Sequence, residues 1–243
     1  MKKISLLVSL AIVLSTTGFV CAQNSQSDAK SQDVVIEKYV HYVTPPWAGL
    51  QVSTDENNTS YKLFKGGVKW SSASLPVTYY VDPDGAPTGA VSEVQAAFET
   101  WDVVITTELF DNALENENVN PSLNGGVVDY VNTVTWRPIS DLNVIAVTYF
   151  AWNRTTKELI EFDIIFNSNL AWGIDPDGEG STTITQHDVR NIATHEAGHT
   201  LVLDDLYTPK ARELTMYGYS APGETKKISL GLGDRIGIEK LYG

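Results

Sequence analysis

Residues 195–199 read His-Glu-Ala-Gly-His and carry the sharpest chemical signal in the chain. In a helix, positions four apart lie about 40° apart in azimuth and about 6 Å apart along the axis, so His195 and His199 face the same way. Two imidazoles so placed converge on one metal ion, and the Glu196 carboxylate falls close to that ion's open side. With only four His in 243 residues, chance supplies about 0.004 copies of this spacing, so accident is a weak explanation. The bland alternative is a pair of core histidines held by backbone carbonyls. His41 and His187 have no ligand-like neighbours; His41 reads as the surface of an N-terminal arm and His187 as a first-turn helix residue.

A metal that activates water needs three protein ligands and one open position. Asp204 and Asp205 follow the histidine pair. On an unbroken helix Asp205 would sit about 240° round from His199 and face away. It can ligate only if the chain leaves the helix near Leu201–Leu203 and turns back.

The elements that must position these groups are legible in outline. Thr185 and Asp188 resemble a capping box that starts the helix, with Val189 and Ile192 on its apolar flank. Upstream, Val77–Val81 is a β-branched and aromatic strand ended by Asp82-Pro83-Asp84-Gly85. Ser92–Leu109 carries Val94, Ala97, Phe98, Trp101, Val104 and Ile105 at helical spacing, with Ser92 as cap and Glu93 in the first turn. Three strand-like runs follow, Val127–Trp136, Val144–Trp152 and Leu159–Phe166, the last two joined through Asn153–Thr156 as a hairpin. A short helix over Asp234–Leu241 closes the chain. This order predicts an α/β or α+β domain, a twisted sheet with helices packed on it.

Composition bounds the rest. A chain of 243 residues with 42% hydrophobic and 10% aromatic residues can bury one sizeable core and is not disordered. Seventeen Lys+Arg against 30 Asp+Glu give a net charge of −13, which argues against nucleic acid and against a polybasic membrane patch. One Cys excludes an internal disulfide framework and Cys-based zinc knuckles. Met1–Ala22 reads as a secretory signal, with Lys2 and Lys3, an apolar run Ile4–Leu14, and small residues at Val20-Cys21-Ala22. That run is too short to span a bilayer, which needs roughly 20 residues. Lipid anchoring at Cys21 is the weaker alternative, because Val20 precedes it. Residues 23–65 read as a polar arm or short pro-segment, 66–243 as the main domain, and the protein as a secreted monomer with no transmembrane span.

HEAGHTLVLDD, residues 195–205, resembles the metzincin pattern HExxHxxGxxH/D, with Asp in the last slot as in snapalysin-like enzymes. Leu214–Tyr219, with Met216 the only Met after residue 1, resembles the metzincin Met-turn. Residues 230–243, ending Leu-Tyr-Gly, resemble the closing helix of matrixin catalytic domains. The likeness covers about residues 66–243. It implies a zinc metalloendopeptidase acting on protein or peptide substrates, with His195, His199 and Asp205 holding one catalytic zinc and Glu196 as general base. It also implies that Met216 packs beneath the histidine rings and that Asp234 holds the Met-turn through its backbone. The fold implied is a mostly parallel sheet with an antiparallel edge strand, an active-site helix and a C-terminal helix. Substrate would lie along an edge strand, placed at Leu159–Phe166, with Ser220–Thr225 walling the pocket beyond the cut.

Some features depart from that family. Val202 stands where a Gly is usual, and a β-branched residue resists positive φ. The turn must therefore differ or carry about 1–2 kcal/mol of strain. Beyond the signal there is no Cys for a cysteine switch; a carboxylate such as Asp28, Asp33 or Asp55 could occupy the open position instead, as an aspartate switch does in some bacterial relatives. Histidines for a second zinc are missing. Asp175, Asp177 and Glu179 could cradle Ca2+, although a solvated turn is the better reading. Two rival readings stay open: a gluzincin-type peptidase whose third ligand is Glu213 or Glu224, and a secreted, zinc-stabilised binding module without catalysis.

Overall fold

Long runs of Val, Ile, Phe and Trp set the centre of the sheet. β5 (Val144–Asn153) and β6 (Leu159–Asn167) are buried along nearly their whole length, on both faces, and pair antiparallel across a short turn. The computed structural model describes residues 33–45, 58–175 and 185–243. These belong to the unit Asp33–Gly243. The signal segment, Cys21, Asp28 and Asp55 lie outside the described residues. Among the described residues no helix is long and apolar enough to cross a membrane.

β4 (Thr133–Arg137) lies parallel to β6, β2 (Tyr80–Val81) parallel to β4, and β3 (Leu114–Glu115) parallel to β2. On the other side of β5 lies β1 (Val34–Val43), antiparallel to it from Val34↔Asn153 to Tyr42↔Val144, with a bulge between His41 and Tyr42. β9 (Tyr219–Ser220) then pairs parallel with the end of β1. The order is β3-β2-β4-β6-β5-β1-β9, and β5 alone runs against the other six. β7 (Trp172–Gly173) and β8 (His187–Asp188) form a separate small ladder. The result is a mixed α/β domain whose sheet is mostly parallel, with its antiparallel pairing toward one edge and a C-terminal helix.

Among the described residues three α-helices accompany the sheet: α1 (Ala90–Asp102), α2 (Val189–Thr200) and α3 (Leu232–Tyr242). α1 turns Val94, Ala97, Phe98 and Trp101 inward, the stripe that its spacing predicts. α2 packs against both α1 and β5, so almost every residue of it is buried. The Trp101 indole N–H donates to the Thr194 carbonyl at 2.9 Å and ties the two helices together.

Several boundaries differ from the sequence reading for local reasons. α1 starts at Ala90, not Ser92, because Gly89 takes the N-cap in the left-handed region (φ 93°). It ends at Asp102, and Val104 and Ile105 pack on the core from beyond the helix. The Thr185–Asp188 capping box does not form; Asp188 itself is the N-cap of α2 and accepts from the Asn191 N–H at 2.7 Å. His187 belongs to β8 and is buried, not a residue of the first turn. The expected strands at 77–81 and 127–136 shorten to Tyr80–Val81 and Thr133–Arg137.

Two corrections bear on function. Residues 34–43, read as part of a polar arm, form a ten-residue strand, and His41 on it is fully buried rather than surface. Leu159–Phe166 is not an edge strand. It is β6, paired on one side with β4 and on the other with β5, so it has no free edge to offer a peptide.

Candidate metal centre

α2 brings His195, Glu196 and His199 into the interior, each fully buried. Gly198 between the histidines is required by close approach: a Cβ there would meet Met216 Sδ at 2.4 Å and Trp101 Cζ2 at 2.7 Å. The helix then stops in a Schellman arrangement. The Leu203 N–H reaches the Gly198 carbonyl at 3.1 Å, and the Val202 N–H reaches that of His199 at 2.9 Å. Val202 occupies the left-handed position with φ 61°. The strain expected of a valine there, about 1–2 kcal/mol, is thus carried by the turn. Complete burial of the side chain offsets it by about 1.5–3 kcal/mol.

That reversal places Asp205. Its Oδ1 lies 3.3 Å from His195 Nε2 and 3.5 Å from His199 Nε2, and its Oδ2 accepts from the Tyr207 hydroxyl at 3.0 Å. Both histidines are oriented from behind. His195 Nδ1–H donates to the Thr215 carbonyl at 2.7 Å, and His199 Nδ1–H to the Leu203 carbonyl at 2.8 Å. The three atoms facing one another, His195 Nε2, His199 Nε2 and Asp205 Oδ1, are buried and have no hydrogen-bond partner. Orphaned buried polar atoms are costly, and a shared cation satisfies all three at once. These residues could hold a metal ion, as could a second group of His41, His195 and Glu196 that shares one histidine.

Residues 214–219 pack behind this group, with the Thr215 carbonyl on His195 and Met216 against Gly198. The Asp234 carboxylate accepts from the backbone N–H of Thr215 (2.8 Å), Met216 (3.1 Å) and Gly231 (3.0 Å), fixing the carbonyl that orients His195. Asp204, next to Asp205, points elsewhere and pairs with Lys62 at 2.6 Å. Glu213 and Glu224 both pair with Lys226 (3.8 and 3.9 Å) and are in neither convergent group. Asp33, at the far end of β1, accepts from the Thr155 hydroxyl at 3.0 Å and is not at the centre. Of the calcium candidates, Asp177 and Glu179 lie outside the described residues.

Sequence reasoning missed the groups that complete the surroundings. His41 Nδ1 lies 3.0 Å from Glu196 Oε1, while its Nε2 lies 3.0 Å from Ser220 Oγ and 3.2 Å from Lys227 Nζ. An ammonium can only donate, so Nε2 is the acceptor and Nδ1–H the donor to Glu196. The His41 and His195 rings are 3.9 Å apart, and Tyr39 stacks on His199 at 4.0 Å and 11°. The Thr148 hydroxyl donates to Glu196 Oε2 at 2.5 Å. Lys227, fully buried, donates to the Tyr217 carbonyl. The one available signal was the weak alternation of 34–43, which puts Tyr39 and His41 on one strand face.

Burial sets the charge states. It pushes Glu196 up to about 7 and holds His195 down to about 3, with Lys227 adding to the latter. It also lowers Lys227 to about 8. Asp205 goes the other way: burial would raise it, but the His199 and His195 imidazoles against its Oδ1 hold it well below the usual carboxylate range.

No protein-family model and no curated protein matches this chain. The geometry alone defines a mixed α/β domain with a buried His-His-Asp group that could hold a metal ion, beside a buried glutamate.

Proposed function

We propose that this chain is a zinc metalloendopeptidase with a metzincin-like, matrixin-like catalytic domain, secreted by way of residues 1–22. The observation that carries this reading is the trio of orphaned ligand atoms. Tetrahedral zinc with N and O ligands at about 2.0–2.1 Å requires ligand atoms about 3.3–3.4 Å apart. The two His–Asp separations are 3.3 and 3.5 Å. A trio of N and O donors with backbone-oriented imidazoles also matches the chemistry of catalytic rather than structural zinc. The Schellman reversal to Asp205, Met216 against Gly198, and Asp234 behind the turn add support.

Zinc held there supplies a Lewis acid for a carbonyl oxygen and lowers the pKa of water. The chain's own residues do the rest. Glu196 accepts the proton of the attacking water and delivers it to the leaving amine. Thr148 holds one oxygen of that carboxylate in place, leaving Oε1 to work once His41 is absent. Asp205, kept anionic, completes the ligand set.

The test is hydrolysis of unfolded casein by the zinc-loaded chain, both wild type and His41→Ala. It should be abolished by a chelator and restored by zinc. In the His41→Ala background, Glu196→Ala should retain zinc and lose about 10²–10⁴-fold in rate. Stoichiometric zinc with no hydrolysis by either chain would leave the binding-module reading in its place.

A further inference from the structure

Away from the metal centre, α1, the first turn of α2 and residues 228–235 border a cleft of about 550 Å³, a volume within the range that takes small molecules. Arg190 reaches this cleft from α2. It lies five positions before His195, so about 140° round the helix axis and about 7.5 Å along it. The cleft and the metal centre therefore use different faces of one helix.

The lining has two kinds of chemistry. Val103, Val104, Ile228 and Leu230 supply an apolar wall, and Val103, at 79% exposed, is the most exposed large apolar side chain among the described residues. The charged groups are Arg190, Arg235 and Glu99, two guanidiniums to one carboxylate in a chain of net charge −13. Neither guanidinium is in an ion pair among the described residues. Arg235 Nε donates to the Leu230 carbonyl at 3.2 Å, which ties that guanidinium to the apolar wall. Arg190 Nε is buried with no hydrogen-bond partner. Glu93, in the first turn of α1, would be its natural acceptor. Yet Glu93 Oε2 is also buried without a partner, and burial raises that carboxyl despite the charge of Arg190. Buried donors left without acceptors are costly.

We propose that this cleft binds a small aliphatic carboxylate, its head between Arg190 and Arg235 and its tail along Val103, Val104, Ile228 and Leu230. A carboxylate matches the planar donor fork of a guanidinium and supplies the acceptor that Arg190 lacks. The tail takes the exposed apolar wall out of water. α1 meets the tail with side chains only, because the main-chain groups of a helix interior are spent on each other. A plain hydrocarbon chain therefore suits the wall better than a peptide, whose own main chain would find few partners there. The site needs neither the metal nor the peptidase reading.

Isothermal titration of the full chain with octanoate, with and without zinc, tests this. Octanoate should bind saturably and with the same affinity in both states. Butanoate, shorter by four methylenes, should bind roughly tenfold more weakly, the effect of a partly buried tail. Octanamide keeps the tail and loses the charge, and should also bind at least roughly tenfold more weakly. Arg190→Gln and Arg235→Gln should each weaken octanoate by roughly tenfold, the effect of one charged hydrogen-bonding group. N-acetyl-valyl-leucine, a peptide carboxylate, should bind less tightly than octanoate. Five results overturn the proposal: no saturable binding, octanamide binding as well as octanoate, the dipeptide binding more tightly, both arginine variants binding as wild type does, or binding that requires zinc. The last would put the carboxylate on the metal. Should an arginine variant fail to fold, the ligand series on the wild type decides by itself.

Discussion

His41 and His199 are equally buried beside His195, yet their ring nitrogens are used differently. His199 has Nδ1 fixed on the Leu203 carbonyl and Nε2 without a hydrogen-bond partner. His41 has both nitrogens engaged, one by Glu196 and the other by Ser220 and Lys227. An orphaned buried nitrogen costs about 1–3 kcal/mol, a cost that a cation shared by the three facing atoms would remove. A histidine satisfied on both sides has none. The difference makes His199 rather than His41 the proposed ligand, although burial and residue type are the same.

The largest effect that could break this comparison lies in metal affinity. His199→Ala and Asp205→Ala should each weaken zinc binding by more than about 10²-fold, beyond what loss of an outer-shell partner costs. His41→Ala should stay within about threefold of wild type, since it removes no orphan. Competition against a chromophoric chelator measures all three. If His41→Ala lost zinc as His199→Ala does, His41 would join the ligand set.

The buried carboxylates sharpen the same point. Asp205 is held charged by its histidines, whereas Asp163 on β6 is pushed by burial from 3.8 up to about 7, despite hydrogen bonds from Thr133 and Leu123. A raised acid stabilises the fold below its unfolded value, near 4, and that stability is lost as pH rises through about 7. Asp163→Asn should therefore gain on wild type by about 4 kcal/mol between pH 4 and 7.5, read from urea midpoints at several pH values. A constant difference would mean that Asp163 does not titrate in that window.

Smaller effects come from the residues around the ligands. Gly198→Ala should cost about 1–2 kcal/mol through the clash with Met216 and Trp101, seen as a lower Tm. Asp204→Ala removes a half-exposed pair with Lys62 and should cost no more than about 0.5 kcal/mol, with zinc affinity unchanged. A large zinc effect there would mean that the reversal after α2 directs the wrong aspartate inward.

α2, β5 and β6 were readable because long periodic or uniformly apolar runs leave few alternatives. Asp205 needed a reversal whose position the spacing demanded but whose cost only φ at Val202 reveals. β1 was hard to see for the reason that it is informative: it is half solvated, so its alternation is faint. β6 reads as an edge only while its parallel pairing with β4, thirty positions upstream, goes unseen. His41 meets Glu196 across 155 positions of chain, and nothing in the pair Lys226-Lys227 marks the second as the buried one. Such contacts belong to tertiary packing rather than to local pattern.

Because β1 is part of the chain whose β5 and β9 it pairs with, strand and sheet meet at an effective concentration set by the tether, on the order of 1 mM for short tethers. Dilution does not loosen that tethered pairing, whereas one cut between β1 and the rest of the chain turns it into an ordinary bimolecular one. A strand that holds weakly on its own can thus stay in place while tethered and be lost once severed.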